Sequence, residues 1–243
     1  MAKSTQASSL GLRQIDLLQG LSADRFDAIS RQCAWRTYEA GQRLVAREDP
    51  DRDVHFIVAG TVLVTTYSPG GRETSFRELA AGTAFGELAA LDGRPRSADV
   101  VALTPGLVAS MPPADFRALL RQEWTVNERV LVRLADLARG LVDRVLELST
   151  LNVQQRVCME LLRLARGQAQ AAQGVRIEPA PKHAELANRV STYREQVTRE
   201  LSALVKAGVL AREGAALVVR DMGRLQRIAD PSGGREANSQ TGA

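Results

Sequence analysis

Residues 85–100 read FGELAALDGRPRSADV. The stretch places a carboxylate at Glu87 and a guanidinium at Arg96, joined by small and turn-forming residues. Arg96 supplies a planar fork of donors that suits a phosphate, and the hydroxyl of Ser97 stands next to it. A carboxylate cannot hold that phosphate, but Glu87 can accept from a sugar hydroxyl. Gly86 lets the backbone approach a ligand closely. A short turn or helix start near Ala89–Leu91 adds backbone N–H donors. Gly86, Glu87, Leu88, Ala89, Arg96 and Ser97 thus form a candidate site for the two halves of a sugar phosphate. An arbitrary Glu–Arg pair on a surface would instead be an ion pair worth less than about 1 kcal/mol.

A second group lies in PKHAELANRVSTYREQVTRELSALVKAGVL, residues 181–210. One helix, around His183–Arg189, packs through Leu186 and Ala187, and a tight turn follows at Val190–Thr192. The next helix packs through Val197, Leu201, Leu204 and Val205. Its other face opens with Tyr193, Arg194, Glu195, Thr198 and Arg199. Arginine pairs with guanine in the major groove, and glutamate accepts from the cytosine amino group. Lys182, Arg189, Lys206 and Arg212 are placed to meet phosphates, which supply affinity without sequence. Glu195 and Arg199 could instead bridge each other on a solvated face, for a few tenths of a kcal/mol.

These two groups must be held by different architectures. The 243 residues suffice for two domains. Charged residues make up 25%, as is usual for globular chains, and the net charge of +4 permits an anionic partner without demanding one. Residues 15–32 read as helical, with Leu17, Leu18, Leu21, Phe26 and Ile29 at short helical intervals and Ser22 as an N-cap. From about 36 to 112, short apolar runs separated by Gly41, Gly60, SPGGRE and DGRP indicate an antiparallel sandwich or barrel.

Residues 113–150 are helical. Val130, Leu134, Leu137, Leu141, Val145 and Leu148 recur near the 3.5-residue interval of a coiled coil. About 25 residues of helix span nearly 40 Å, beyond one domain's width, so this helix is expected to pair with a second copy. Gly140 interrupts the stripe and suggests close approach of two backbones. The alternative is an amphipathic helix lying on its own domain. Beyond 151 the order helix, helix, helix, hairpin around Gly214 is that of a winged helix-turn-helix, and residues 231–243 read as a disordered tail. Expected boundaries are 1–125 for the β domain, 126–150 for the dimerisation helix and hinge, 151–230 for the winged helix-turn-helix, and 231–243 for the tail.

Several chemistries are excluded. Cys33 and Cys158 form no CxxC pair, so no zinc site, iron–sulfur cluster or disulfide framework is expected. Two histidines, His55 and His183, cannot build a cupin metal centre; His55 sits in an apolar strand and reads as packed. No P-loop or nucleophile elbow occurs. No metal and no catalytic residue is expected, and the chain does not read as an enzyme. The N-terminal segment has no continuous apolar run of signal-peptide type, and no stretch of about 18 apolar residues occurs. A cytoplasmic protein without membrane contact is expected.

The stretch 85–100 closely resembles the phosphate-binding cassette of cyclic-nucleotide-binding domains in the Crp/Fnr family of transcription regulators. YEAGQRLVARED and VHFIVAGTVLV resemble that family's β-roll, with Gly41 and Gly60 at its turns. The resemblance implies an α+β fold: an N-terminal cyclic-nucleotide-binding β-roll (jelly roll), a long dimerisation helix and a C-terminal winged helix-turn-helix. It implies that Glu87 takes the ribose 2′-hydroxyl while Arg96 and Ser97 take the cyclic phosphate. Ala90 departs from the family, which carries a larger aliphatic residue there. The family's cAMP-binding pattern places a Thr-Ser pair against the base. Counted back without gaps from NVQQR, those positions hold Leu141 and Val142, whose side chains cannot hydrogen-bond, which leaves the base to apolar contact alone or to Arg139, Asp143 or Arg144 reaching across the dimer. cAMP is the first expectation as effector, with cGMP or a cyclic dinucleotide behind it; haem, or no effector, are further alternatives.

Arg194, Glu195 and Arg199 fall on the family's base-reading Arg, Glu and Arg, implying half-sites of TGTGA type. Tyr193 replaces a small polar residue. The expected partners are double-stranded DNA, a second copy of the chain and RNA polymerase. The rival reading is a nucleotide-binding regulatory module whose C-terminal helices bind protein.

Overall fold

The computed structural model describes residues 9–67, 73–166, 168, 170–171 and 174–230. They fall into two compact units, Met1–Ala138 and Arg139–Ala243.

The first unit opens with helix α1 (Ser9–Leu12), a 3₁₀ turn at Asp16–Leu18 and helix α2 (Ala23–Gln32). The helical stretch expected over 15–32 is interrupted, and the cap expected at Ser22 is present. Gly20 adopts φ +81°, and α2 restarts behind Ser22, whose hydroxyl accepts from the Arg25 N–H. Eight strands follow: β1 (Ala34–Tyr38), β2 (Arg43–Val45), β3 (Val54–Ala59), β4 (Thr61–Tyr67), β5 (Glu73–Ala80), β6 (Ala84–Phe85), β7 (Asp99–Ala102) and β8 (Gly106–Met111). They form two antiparallel four-stranded sheets, β1-β8-β3-β6 and β2-β7-β4-β5. This is the expected β-roll.

Strand β3 shows why VHFIVA is apolar almost throughout. Successive side chains point to opposite faces. Val54 and Phe56 join Ala109 and Met111 in a core shared with Phe26, Ile29 and Phe116. Ile57 joins a second core with Tyr38, Val62, Leu79, Phe85 and Val108. The sheet is therefore covered on both faces, and strict alternation is lost.

Helix α3 (Glu87–Asp92) sits between β6 and β7, helix α4 (Pro113–Gln122) follows β8, and helix α5 (Trp124–Thr150) runs for 27 residues. The apolar stripe of α5 divides. Val130 is buried in the first unit's core, and Leu134 packs against it. Leu137, Leu141, Val145 and Leu148 are exposed, with Leu131, Val132, Val142 and Leu146 beside them. Lying on its own domain thus accounts for the start of the stripe only. Apart from its own helix, a Cβ at Gly140 would meet nothing within 4 Å among the described residues.

The second unit contains α6 (Val153–Ala165), β9 (Gln170–Ala171), β10 (Gly174–Ile177), α7 (His183–Arg189), α8 (Arg194–Lys206), β11 (Leu210–Glu213), β12 (Ala216–Val219) and α9 (Met222–Ala229). Asn152 and Gln155 form a reciprocal capping box that starts α6. Leu161, Leu186, Val197, Leu201, Leu204 and Leu225 lie in one core. The expected hairpin is present. Two additions correct the sequence reading. The stretch between the first two helices, to which the sequence order assigned no strand, supplies β10, which pairs Val175–Ile177 with Leu217–Val219 and gives the sheet order β11-β12-β10-β9. Helix α9 closes the core through Leu225 and Ala229. The tail at 231–243 lies outside the described residues.

Candidate functional site

Helix α3 is positioned by Gly86, its N-cap, at φ +89°. A Cβ there would lie 2.7 Å from the Asp53 carbonyl oxygen and collide with the Arg96 guanidinium. Only glycine permits both the turn and the approach. The first N–H groups of α3, from Glu87 to Ala89, have no partner within the helix, as at any helix start. Leu88 is partly exposed and Ala89 is buried.

Arg96 is 4% exposed, with a fork largely held by the protein itself. Nη1 donates to the Gly86 carbonyl at 3.1 Å. Nη2 donates to Asp51 Oδ2 at 2.5 Å and to the Asp53 carbonyl at 2.6 Å. His55 Nε2 stands 3.1 Å from the same nitrogen. The backbone fastens the two segments as well: Arg96 N–H donates to Asp49 O at 3.2 Å and Glu48 N–H to Arg96 O at 2.9 Å. The buried Nε–H has no hydrogen-bond partner among the described residues. An unmet buried donor costs about 1–3 kcal/mol, and a phosphate oxygen is one group that could meet it.

The Asp51 carboxyl is held well below the usual carboxylate range. His55 contributes most; Arg96 and the Asp53 N–H add to it, and burial opposes them. His55 is packed, as expected, stacked on Phe85 with ring centroids 4.7 Å apart and its Nδ1 2.8 Å from Ser110 Oγ. Its contact with Arg96, and the roles of Asp51 and Asp53, lie outside the sequence reading. They join positions more than 40 residues apart, and no local pattern marks them.

Glu87 is also buried, and Arg133 of α5 approaches it, with Nε 3.6 Å from Oε1. Arg133 also donates to the Ala84 carbonyl at 2.5 Å. The carboxylate and the guanidinium of the cassette therefore each hold an opposite charge from elsewhere in the fold. They do not neutralise one another. Ser97 is exposed at the mouth of the turn. Leu141 and Val142 lie in the second unit, exposed on α5.

The second candidate site is built on α8. Val197, Leu201 and Leu204 are buried beneath it, which turns Arg194, Glu195, Thr198 and Arg199 to solvent. Tyr193, at the N-cap, is 71% exposed. Thr198 donates to the Arg194 carbonyl, and His183 Nδ1 stands 2.7 Å from the Thr198 oxygen. His183 Nε2 lies 3.0 Å from Arg212 Nη2 of β11. A neutral ring with its proton on Nδ1 satisfies all of these contacts. Burial, with Arg212 and Arg194 nearby, lowers the imidazole's affinity for a second proton. Lys182 is exposed beside Glu185, at 3.7 Å. Arg189 reaches Glu160 at 3.3 Å. Both cysteines are buried, and burial pushes each thiol up to about 12, so neither is a reactive thiolate. No group of three or more potential metal ligands occurs among the described residues.

A β-roll carrying a phosphate cassette, followed by a winged helix-turn-helix, defines a cyclic-nucleotide-binding transcription regulator. Residues 35–123 match the family model of the cyclic nucleotide-binding domain, and residues 155–228 that of the Crp-like helix-turn-helix domain. The cyclic AMP receptor protein of Thermus thermophilus is 31% identical over 88% of this chain and 96% of its own. A "CRP-like cAMP-activated global transcriptional regulator" of Mycobacterium tuberculosis is 26% identical over 90% and 98%. Among solved structures, the "c-di-GMP responsive global regulator CLP" of Xanthomonas campestris shares the fold at a TM-score of 0.66 and 20% identity, covering 82% of this chain and all of that one. The chain belongs to the Crp/Fnr family of transcription regulators. It is a cyclic-nucleotide-binding DNA regulator and not an enzyme.

Proposed function

We propose that the protein is a homodimeric, sequence-specific transcription regulator whose effector is cAMP. The observation that carries the effector reading is the cassette: Gly86 in the left-handed region, a buried Glu87, and a buried Arg96 whose Nε–H is unmet among the described residues. In this reading Arg96 and Ser97 hold the cyclic phosphate, helped by the N–H groups around Leu88 and Ala89, and Glu87 accepts from the ribose 2′-hydroxyl. The names of the Thermus and Mycobacterium relatives support cAMP. Binding by a second copy is supported by Leu137, Leu141, Val145 and Leu148, all at least 42% exposed on α5, since a row of apolar side chains at coiled-coil spacing is not left in water without a partner.

On DNA, Arg194, Glu195 and Arg199 read bases in TGTGA-like half-sites, with Tyr193 and Thr198 beside them. Lys182 and Arg189 approach phosphates; Arg189 would have to share its guanidinium with Glu160. No helix among the described residues is long and apolar enough to cross a membrane, and RNA polymerase in the cytoplasm is the partner such a regulator would meet.

One observation favours a second effector. Leu141 and Val142 offer a base no hydrogen-bonding side chain, and the neighbour CLP is named for response to a cyclic dinucleotide. Calorimetry with cAMP, cGMP and cyclic di-GMP separates the two readings. Binding of cAMP alone, abolished by Arg96→Leu, is expected. Binding of only the dinucleotide would replace the first reading with the second.

A further inference from the structure

We infer that Arg144 is a positioning residue that locks the turn of the helix-turn-helix onto the end of α5, so that the DNA-reading helix and the last turns of α5 move as one body. The inference rests on the DNA-reading and homodimer assignments above.

The turn between α7 and α8 satisfies its donors internally. Val190 N–H donates to Leu186 O at 2.9 Å, Ser191 N–H to Asn188 O at 3.3 Å and Thr192 N–H to Ala187 O at 2.9 Å. Its acceptors are met from outside the motif. Arg144 of α5 donates through Nη2 to the Arg189 carbonyl and to Ser191 Oγ, the latter at 3.1 Å. Arg156 of α6 donates through Nε to the Val190 carbonyl at 3.0 Å and through Nη1 to the Leu151 carbonyl at 2.8 Å. Two guanidiniums from two helices thus converge on three consecutive residues.

The turn is also strained. Ser191 holds φ +53°, a left-handed conformation that is unfavourable for a residue with a Cβ. Such a residue persists where its surroundings over-determine it, and the Arg144 contact to its side chain is one such constraint. The crowded positive charge is balanced by Glu147, 8% exposed, which accepts from Arg144 at 3.3 Å and pairs with Arg163. Arg163 and Arg189 then share Glu160, each at 3.3 Å. Residues 144–191 are thereby joined through forks and carboxylates rather than through apolar packing alone. Arg144 holds its geometry through a planar fork, which a lysine would not reproduce.

The consequence is spacing. In a dimer that reads two half-sites, the separation of the recognition helices is set by how firmly each is fixed to the paired helices. The test is fluorescence anisotropy on palindromic TGTGA-type duplexes whose half-sites stand at the matched spacing and at one and two base pairs more or less. The wild-type protein is expected to prefer the matched spacing by about tenfold or more. Arg144→Ala is expected to reduce that preference below about threefold while still binding each duplex, with a cooperative thermal melt retained. An undiminished spacing preference in Arg144→Ala overturns the inference and leaves DNA reading intact. If Arg144→Ala does not fold, Ser191→Ala decides: a reduced preference supports the lock, and an unchanged one overturns it. A wild-type protein that binds none of the duplexes overturns the DNA-reading assignment, and the lock with it.

Discussion

A methyl group at Gly86 has nowhere to go. Its Cβ would sit 2.7 Å from the Asp53 oxygen, in a backbone with φ +89°. Gly86→Ala is therefore expected to cost more than about 1 kcal/mol, as when alanine is forced to positive φ. It should also abolish the thermal shift produced by the nucleotide. An unchanged shift in differential scanning fluorimetry would contradict the close approach of the cassette. The neighbouring Asp51 makes a pH prediction. Its folded-state pKa lies below the unfolded value because His55 and Arg96 favour the charged form. The stabilisation is then fully present above the ordinary carboxylate pKa of about 4 and is lost as the pH falls below it. Melts between pH 5 and pH 2.5 should show a shallower loss for Asp51→Asn than for wild type; parallel curves would count against the pairing. Glu87, Arg96 and Ser97 were legible because one contiguous stretch carries them. Asp51, Asp53 and His55 were not, because β3 and the loop before it reach Arg96 only through the fold.

Helices α8 and α5 present different surfaces, one charged and one apolar. Arg194→Ala is expected to lose about 1–3 kcal/mol of discrimination at one guanine of the half-site, measured by competition with single-base variants. A loss equal at every base would assign Arg194 to the phosphates. On α5, the wild-type chain is expected to sediment as a dimer in analytical ultracentrifugation, and a glutamate at Leu141 or Val145 to leave a monomer of unchanged helicity, since both side chains are exposed in the single chain. A variant that stays dimeric would place the interface elsewhere. The long helix was legible from its period, but where its stripe leaves the first unit's core was not. Val130 and Leu137 are equally apolar, and only the position of the β-roll separates them. Short elements were missed for a different reason. Four residues at β10 and eight at α9 give too few turns or alternations for a period to appear. Gly20, which splits the first helix, was visible in the sequence, but a glycine in a helical pattern is often tolerated.

For the whole molecule, one chain carries a cyclic-nucleotide-binding β-roll and a Crp-like helix-turn-helix. Regulation requires the two to be coupled, and neither architecture alone supplies that coupling. Both charges of the cassette are already partnered by Asp51 and Arg133, so an incoming nucleotide must share or displace those partners. A ligand shifts a conformational equilibrium only by its differential affinity for the two states, and exchange of these partners is a physical source of that difference. The direct measurement is an anisotropy titration of a TGTGA-type palindrome by the full chain, with and without saturating cAMP, at several salt concentrations. Tighter binding with the nucleotide is expected, with a log affinity falling linearly with log salt as phosphate contacts require. Equal affinity with and without a nucleotide that calorimetry shows to be bound would contradict it.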